Sequence, residues 1–489
     1  MTLPGFDLVF LTLSSPHVMP ALFSRAGLAR SLALRCFVLL FFFAAPPSNT
    51  ARAQDAAATP LDSLARAFKA EHDVPGLIVA TTGPGEQRVR TYGVASREDR
   101  TRLTRETRFE IGSVTKVFTA LLLAEAAERD AAQLDDSLGA WLPDSVAAPA
   151  YTDSAGTRRP IRLRHLAMHT AGLPKLPGNL GLRANPADPY ADYGPQTLHA
   201  FLGGHDLPRA PGAQYAYSNL GAGLLGHLLA RRADTSYAAL LERRILDPLG
   251  LRATYAPLPS DTASAGPRLA QGYAPSGEAT SYWRFDALAG AGALRSTAGD
   301  MLRFLEAQMQ PEATPLPAAI RRTHETRHAV SEALSMALGW HVLDRPGDAV
   351  EPVYWHNGGT GGFKSFVGFA PKAERGIVVL ANRAVPTQAF NTGRCRRRHS
   401  TPLPFASCGH SLAHSGRALA QKTARGGTRG GPERLPGCFL FASLLFPQGG
   451  DAPFCAGSTA KPSTACRDWA CPRCRPPGVG WQCLPARNG

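Results

Sequence analysis

Phe109-Glu110-Ile111-Gly112-Ser113-Val114-Thr115-Lys116 is the stretch on which the reading of this chain turns. Val117, Phe118, Leu121, Leu122 and Glu125 follow at helical spacing, which predicts a helix with Ser113 at its start and an apolar stripe along one face. Positions i and i+3 share a helix face, so the Ser113 hydroxyl and the Lys116 amine point the same way. A serine hydroxyl is a poor nucleophile until a base takes its proton, and a partly desolvated lysine can be that base. The first-turn amides lack intrahelical partners and favour negative charge nearby. The plainer reading of Ser113 is a helix cap. Ser458-Thr459-Ala460-Lys461 repeats the spacing, but Pro462 follows it and the surrounding sequence has no apolar periodicity.

Working outward, composition divides the chain into three. Residues 1–53 read as an export signal. Arg25, Arg30 and Arg35 precede the apolar run Cys36–Ala45, and Ala51-Arg52-Ala53 offers a cleavage site before Gln54. That run is too short for a bilayer, which needs about 20 residues, so no stable membrane span is expected. Met19 would serve as a start as well as Met1 does. Residues 54–393 hold no cysteine and carry 35 Lys and Arg against 34 Asp and Glu. The chain's formal charge of +15 therefore resides mostly outside them, and the high pI is no argument for nucleic-acid binding by the body. Such a length can bury a large core without disulfides. Residues 394–489 hold eight of the nine cysteines amid Gly, Pro, Ser and Arg, without regular patterning except a short apolar run near Phe439–Phe446. They read as disordered or as a non-native reading frame. Cys471-Pro472-Arg473-Cys474 is half of a zinc ribbon without a well-spaced second half.

Within 54–393, Thr59–His72 is amphipathic through Leu61, Leu64 and Phe68. Gly76–Thr82 and Arg88–Val94 read as a hairpin across a Gly-rich break. Helical and loop-rich sequence fills 130–260, including Leu220–Arg231 and Tyr237–Leu246. Thr297 and Asp300 suggest a capping box for a helix Met301–Gln308, and Phe366–Phe369 and Gly376–Ala381 read as buried antiparallel strands. The expected fold class is α+β. Its central antiparallel sheet draws on both ends of the body, with flanking helices and an inserted, mainly helical subdomain.

Two further polar clusters bear on chemistry. Tyr217-Ser218-Asn219 opens a helix. A phenol near a lysine can relay a proton, since a neighbouring cation lowers its pKa, and Asn219 offers a donor and an acceptor to an amide. His356-Asn357-Gly358-Gly359-Thr360-Gly361-Gly362 lies between Val353-Tyr354-Trp355 and a strand Phe363–Phe369. Glycines along a strand edge admit close backbone approach, and an N–H there would complete an oxyanion hole with that of Ser113. Each cluster also has a structural reading, as a helix start and as a glycine turn. His165 and His169 have the spacing of a zinc-protease helix, but Leu166 stands where the glutamate belongs, so His169 reads as structural. No Gly-x-Ser-x-Gly elbow occurs.

Together the three motifs resemble the serine β-lactamase and penicillin-binding-protein superfamily. They are closest to its class C-like branch, which also includes esterases and D-amino-acid peptidases. That pattern is Ser-x-x-Lys, Tyr-x-Asn, then Lys-Thr-Gly or His-x-Gly, and here it falls on Ser113/Lys116, Tyr217/Asn219 and His356/Gly358. Leu166–Pro174, Asp247–Leu251 and Ala291–Asp300 share in the likeness, which covers about 59–393. The resemblance implies that Ser113 becomes acylated and that Lys116 and Tyr217 share the base work. It also implies that Asn219 holds the substrate amide and that the Ser113 and Gly359 N–H groups bind the oxyanion, with no cofactor or metal. Substrates would be β-lactams, esters or D-amino-acid peptides. His356 stands where β-lactamases usually carry lysine, and an imidazole is largely neutral at pH 7. The departure favours an esterase or peptidase-like hydrolase over an efficient β-lactamase. A non-catalytic binding module and an inactive truncated product are the rival readings. The natural substrate and the oligomeric state are not legible, and Tyr190, Tyr193, Tyr282 and Trp283 sit in loops that would wall the site or simply pack.

Overall fold

The computed structural model describes residues 59–387 except 182–184, 186, 259–267 and 344–350. Residues 1–53, expected to be an export signal, and the tail 394–489 lie outside the described residues. All elements below belong to the unit that begins at Pro60.

Helix α1 (Pro60–Glu71) buries Ala65 and Phe68, with Leu61 and Leu64 half-buried. Asp62 is drawn inward because it accepts the Tyr92 hydroxyl at 2.6 Å. Strands β1 (Gly76–Gly83) and β2 (Glu86–Gly93) pair antiparallel as the hairpin that the Gly-rich break predicts. The short strand β3 (Arg108–Glu110) leads through a 3₁₀ turn, Gly112–Val114, into helix α2 (Thr115–Glu128). The inserted region follows: β4 (Ala150–Thr152), β5 (Arg158–Pro160), α3 (Leu163–Ala167), α4 (Pro195–Gly203), α5 (Asn219–Arg232) and α6 (Tyr237–Leu241). β6 (Arg295–Thr297) pairs with β3 and runs into α7 (Ala298–Met309), after which comes α8 (Pro317–Glu325). The chain closes its sheet with β7 (Arg327–Ser331), β8 (Leu334–Ala337), β9 (His341–Leu343), β10 (Val353–Gly359), β11 (Lys364–Ala370) and β12 (Arg375–Ala381).

The main sheet is antiparallel with eight strands in the order β2-β1-β12-β11-β10-β9-β8-β7. The two ends of the body thus meet at β1 and β12, as expected of an α+β fold. α1 covers one face, where Phe68, Val79, Phe366 and Val379 pack together. The other face meets α7, with α8 against β8, and shares one apolar core with α2 and the inserted helices.

Two expectations change, and one pair of open readings is decided. The helix after Ser113 has no exposed stripe: Thr115 to Ala127 are all buried, because α5 and α8 pack on it as well as the sheet side. A helix enclosed on all sides must satisfy its polar groups internally. Thr119 does so with the Tyr237 hydroxyl at 2.7 Å and the Gly290 carbonyl at 2.8 Å. Helix α7 begins at Ala298 rather than Met301. Thr297 Oγ1 does accept the Asp300 N–H at 3.1 Å, but the Asp300 carboxylate turns to Ala253 N and Thr254 Oγ1, so no reciprocal box forms. The stretch His356–Gly359 is strand rather than a glycine turn, because β10 continues its pairing with β11 out to Gly359↔Lys364.

Candidate active site

The nucleophile turn is set by backbone packing. Ile111 N–H donates to Leu294 O at 3.0 Å, and Ser365 Oγ donates to Ile111 O at 2.7 Å, which seats the turn between β6 and β11. Gly112 has φ +50°, and a Cβ added there would lie 2.7 Å from both the N and the O of Gly359. At Gly358 an added Cβ would stand 2.0 Å from the Ile111 carbonyl oxygen. Only glycine permits such approach at either position. The end of β10 therefore lies directly against the turn that carries Ser113.

Lys116 Nζ donates to Ser113 Oγ at 2.9 Å and to the Ala291 carbonyl at 2.6 Å. The lysine is 2 % exposed. Burial holds its pKa well below the ordinary lysine range, and the charge of Lys175 adds to the shift. The same burial makes the amine readier to act as a base than an exposed lysine. It lies 5.1 Å from the centroid of the Tyr217 ring, and Ser113 acts on the Tyr217 phenol in the direction that lowers its pKa. Tyr217 departs from expectation. Burial drives its pKa well above the usual phenol value and outweighs the effect of Ser113, so a neighbouring cation does not lower it. The physical reason is that enclosure disfavours the phenolate, with the Tyr215 and Tyr190 phenols acting in the same direction.

Ser218 caps α5, its Oγ accepting Gly221 N–H at 2.9 Å and donating to Pro174 O at 2.7 Å. Asn219 N–H donates to Lys175 O at 2.9 Å. Its side chain lies near enough to Tyr190 to act on that phenol's pKa, and its Oδ1 is buried without a partner. His356 is wholly buried on β10. Its Nδ1 lies 2.7 Å from the Asn357 carbonyl, and burial keeps the ring neutral, with His341 and Lys116 acting in the same direction. Ser113, Lys116, Tyr217, Asn219, His356, Gly358 and Gly359 are thus brought into one locality, although they span more than 240 positions of sequence.

A family model described as beta-lactamase matches residues 61–399. The chain belongs to the β-lactamase family. It is 29% identical over 370 residues to a beta-lactamase of Pseudomonas fluorescens, a match covering 70% of this chain and 96% of that one. It is 29% identical over 322 residues to the D-alanyl-D-alanine-carboxypeptidase/endopeptidase AmpH of Escherichia coli K12, covering 63% and 79% respectively. Among solved structures, a class C beta lactamase from Rhodobacter sphaeroides matches with a TM-score of 0.57 at 28% identity, covering 67% of this chain and 96% of that chain. This member of the β-lactamase family is accordingly a hydrolase with the family's α+β fold. Its family match runs six residues past position 393, where composition changes.

Sequence reasoning missed several groups that complete the β-lactamase-family site. The Ala291 carbonyl holds Lys116, and no side chain marks it. Glu110 is 3 % exposed, and burial raises its pKa to about 7 despite Arg295. Its Oε1 accepts Trp283 N–H at 2.8 Å and so tethers a pocket-wall loop to β3. Tyr190, Trp283 and Phe285 form one aromatic cluster, with Tyr190 stacked on Phe285 at 4.6 Å. Tyr190 also lies near Asn219, whereas Tyr193 bonds Asn179 and Tyr282 bonds the Ala270 carbonyl. His165 Nδ1 accepts the Arg162 N–H at 3.1 Å as a cap, while His169 lies beyond the end of α3. The two do not form a metal pair, and among the described residues no group of three or more His, Cys, Asp or Glu is placed to hold a metal ion. No helix among them is long and apolar enough to cross a membrane.

Proposed function

We propose that this chain is an exported serine hydrolase that cleaves ester or amide bonds through a covalent acyl-serine intermediate, with short neutral esters preferred over β-lactams and D-amino-acid peptides as the alternative substrates. The observation that carries the reading is the 2.9 Å contact between Ser113 Oγ and a buried Lys116 amine whose pKa is held well below the ordinary lysine range. The Lys116 lone pair takes the Ser113 proton as Oγ bonds to the substrate carbonyl carbon. The protonated Tyr217 phenol donates to Ser113 or to the leaving group rather than acting as a phenolate. Charge on the carbonyl oxygen is stabilised by the Ser113 and Gly359 N–H groups, and Asn219 Oδ1 accepts from the substrate amide. Collapse expels the alcohol or amine, which takes a proton from Lys116. A water activated by the same amine then releases the acid.

The preference against β-lactams rests on His356. A neutral, enclosed imidazole offers no cation to a substrate carboxylate at the third motif. The kinship to a D-alanyl-D-alanine carboxypeptidase supports the peptide alternative. Export is supported by the basic flank, the apolar run and the small-residue site within 25–53. A fluorophosphonate or fluorescent penicillin probe should label the protein at Ser113 and leave Ser113→Ala unlabelled. Equal labelling of the two overturns the assignment. Cephalosporin turnover near the diffusional range, about 10⁸ M⁻¹s⁻¹, would overturn the substrate preference alone.

A further inference from the structure

Behind Tyr217 lies a group of buried imidazoles that the acylation chemistry does not use. The His169 ring centroid is 4.4 Å from that of Tyr217, and the His356 centroid is 6.4 Å from it on another element. His341 sits 5.2 Å from His356 and contacts the Tyr215 hydroxyl through Nε2 at 3.0 Å. His169 grips the Tyr217 backbone from both sides. Its carbonyl accepts Ala216 N–H at 2.7 Å, and its Nδ1 accepts Ser218 N–H at 3.2 Å. This is possible because His169 takes φ +57°, a conformation uncommon for residues other than glycine, asparagine, aspartate and histidine.

The two hydrogen bonds assign the tautomers. An Nδ1 that accepts a backbone N–H carries no proton, so His169 is protonated at Nε2. An Nδ1 facing a carbonyl oxygen must donate, so His356 has a bare lone pair at Nε2. Both Nε2 atoms are buried without a partner. One is a donor and the other an acceptor, and buried polar atoms of this kind call for a ligand that serves both.

We propose that His169 is the positioning residue of the Tyr217 phenol, and that its Nε2–H and the Nε2 lone pair of His356 are the two ends of one water-bridged hydrogen-bond path behind the Tyr217 ring. The path ties the second motif to β10, so that the phenol and the Gly359 N–H keep a common register around Ser113. The groups that act on His169 are Lys116 from α2 and His341 from β9, with Tyr215 and Tyr217 packed on its faces. No carboxylate is among them. Burial and these neighbours keep the ring neutral, which preserves the assigned tautomer.

The inference rests on the acyl-serine reading for its catalytic consequence but not for its structural content, and the test separates the two. Imidazole nitrogen NMR on the parent protein should show His169 protonated at Nε2 and His356 at Nδ1, with neither ring titrating near pH 6.5. The opposite tautomer at either ring overturns the path, whatever the activity. In kinetics with a p-nitrophenyl ester, His169→Ala should lower kcat by about 10²-fold with KM changed less than about threefold, since a misplacement near 1 Å carries that loss. His169→Asn keeps an acceptor near the Nδ1 position and tolerates positive φ, so it should recover at least about tenfold of the loss. A folded His169→Ala variant with parental kcat, or an Asn variant no better than Ala, overturns the positioning role. Parent protein that shows the tautomers but never labels at Ser113 would instead sink the hydrolase reading.

Discussion

Gly112→Ala is the sharpest single test of how the site is assembled. The new Cβ would lie 2.7 Å from Gly359 N, 2.7 Å from its O and 2.9 Å from its carbonyl carbon, while ordinary contact begins at 3.4 Å. All three are backbone atoms, so no flexible side-chain end can yield. Relief requires the nucleophile turn and β10 to part by about 0.7 Å, measured against that ordinary contact distance. The φ of +50° adds a left-handed penalty of about 1 kcal/mol for any L side chain, and overpacking costs typically about 1–3 kcal/mol. A body of this size should lose several degrees of melting temperature, at about 2–4 °C per kcal/mol. The catalytic effect is larger. Moving the Gly359 N–H away from Ser113 removes most of one oxyanion donor, worth about 10²–10³ in kcat. Ester hydrolysis by the folded variant should therefore fall about a hundredfold in kcat with little change in KM. A cooperatively melting Gly112→Ala protein with parental kcat would refute the claim that the two backbones form the oxyanion site.

Lys116→Met should lower kcat/KM by about 10²–10⁴, the usual worth of a positioned base, and Tyr217→Phe should cost less because burial keeps the phenol protonated; the reverse order in ester kinetics would reassign the base. The pH–rate profile should fall as pH drops through the pKa of Lys116, at a point well below the ordinary lysine range, and a limb near pH 10.5 would contradict that lowering. The fold should be acid-labile between pH 6.5 and 5. Unfolded histidine binds its proton near 6.5, whereas burial holds His341 near 4, His324 near 3, and His169 and His356 well below 6.5, so the unfolded state takes up more protons in that window. His341 and His324 then each withdraw about 2 kcal/mol at pH 5, at 1.36 kcal/mol per pH unit, and His169 and His356 act in the same direction. Glu110, protonated up to about pH 7 when folded, opposes one of them, and a melting temperature flat from pH 7 to 5 would refute this balance.

The sequence made local chemistry legible and tertiary register illegible. Ser113 and Lys116 are one helical turn apart, so their contact follows from spacing alone. The hairpin of β1 and β2 announces itself through alternation and a Gly-rich break. His341 had no such signal. It is an isolated histidine between Trp340 and Val342, and it reaches His356 only because β9 pairs with β10 at Trp355↔His341. Glu110 was visible as a residue of the decisive stretch, but its burial depends on Arg295 and Trp283, more than 170 positions away. Tyr217 shows the reverse limit. Its proximity to Lys116 was legible, but the sign of its pKa shift was not, because burial rather than charge decides it.

The electrostatics of the site follow from which groups share the enclosed volume. Lys116, His169, His341 and His356 are all bases, and among the described residues no carboxylate acts on any of them. A carboxylate beside Lys116 would hold the amine as a cation and remove its lone pair from catalysis. Lys116 instead opposes protonation of all three rings, and burial acts on each of the four bases in the same direction. Histidine at position 356 fits this arrangement better than lysine would. Its intrinsic pKa lies about four units lower, so it gives up its proton at smaller cost and adds no standing charge beside the base. The same replacement means that His356 itself supplies no cation to a substrate carboxylate, and the amine nearest that end of β10 is Lys364, whose Nζ lies 2.8 Å from where a Cβ on Gly359 would stand. Under the proposed reading, readiness of the base and a weaker hold on anionic substrates would both follow from the side chain at position 356.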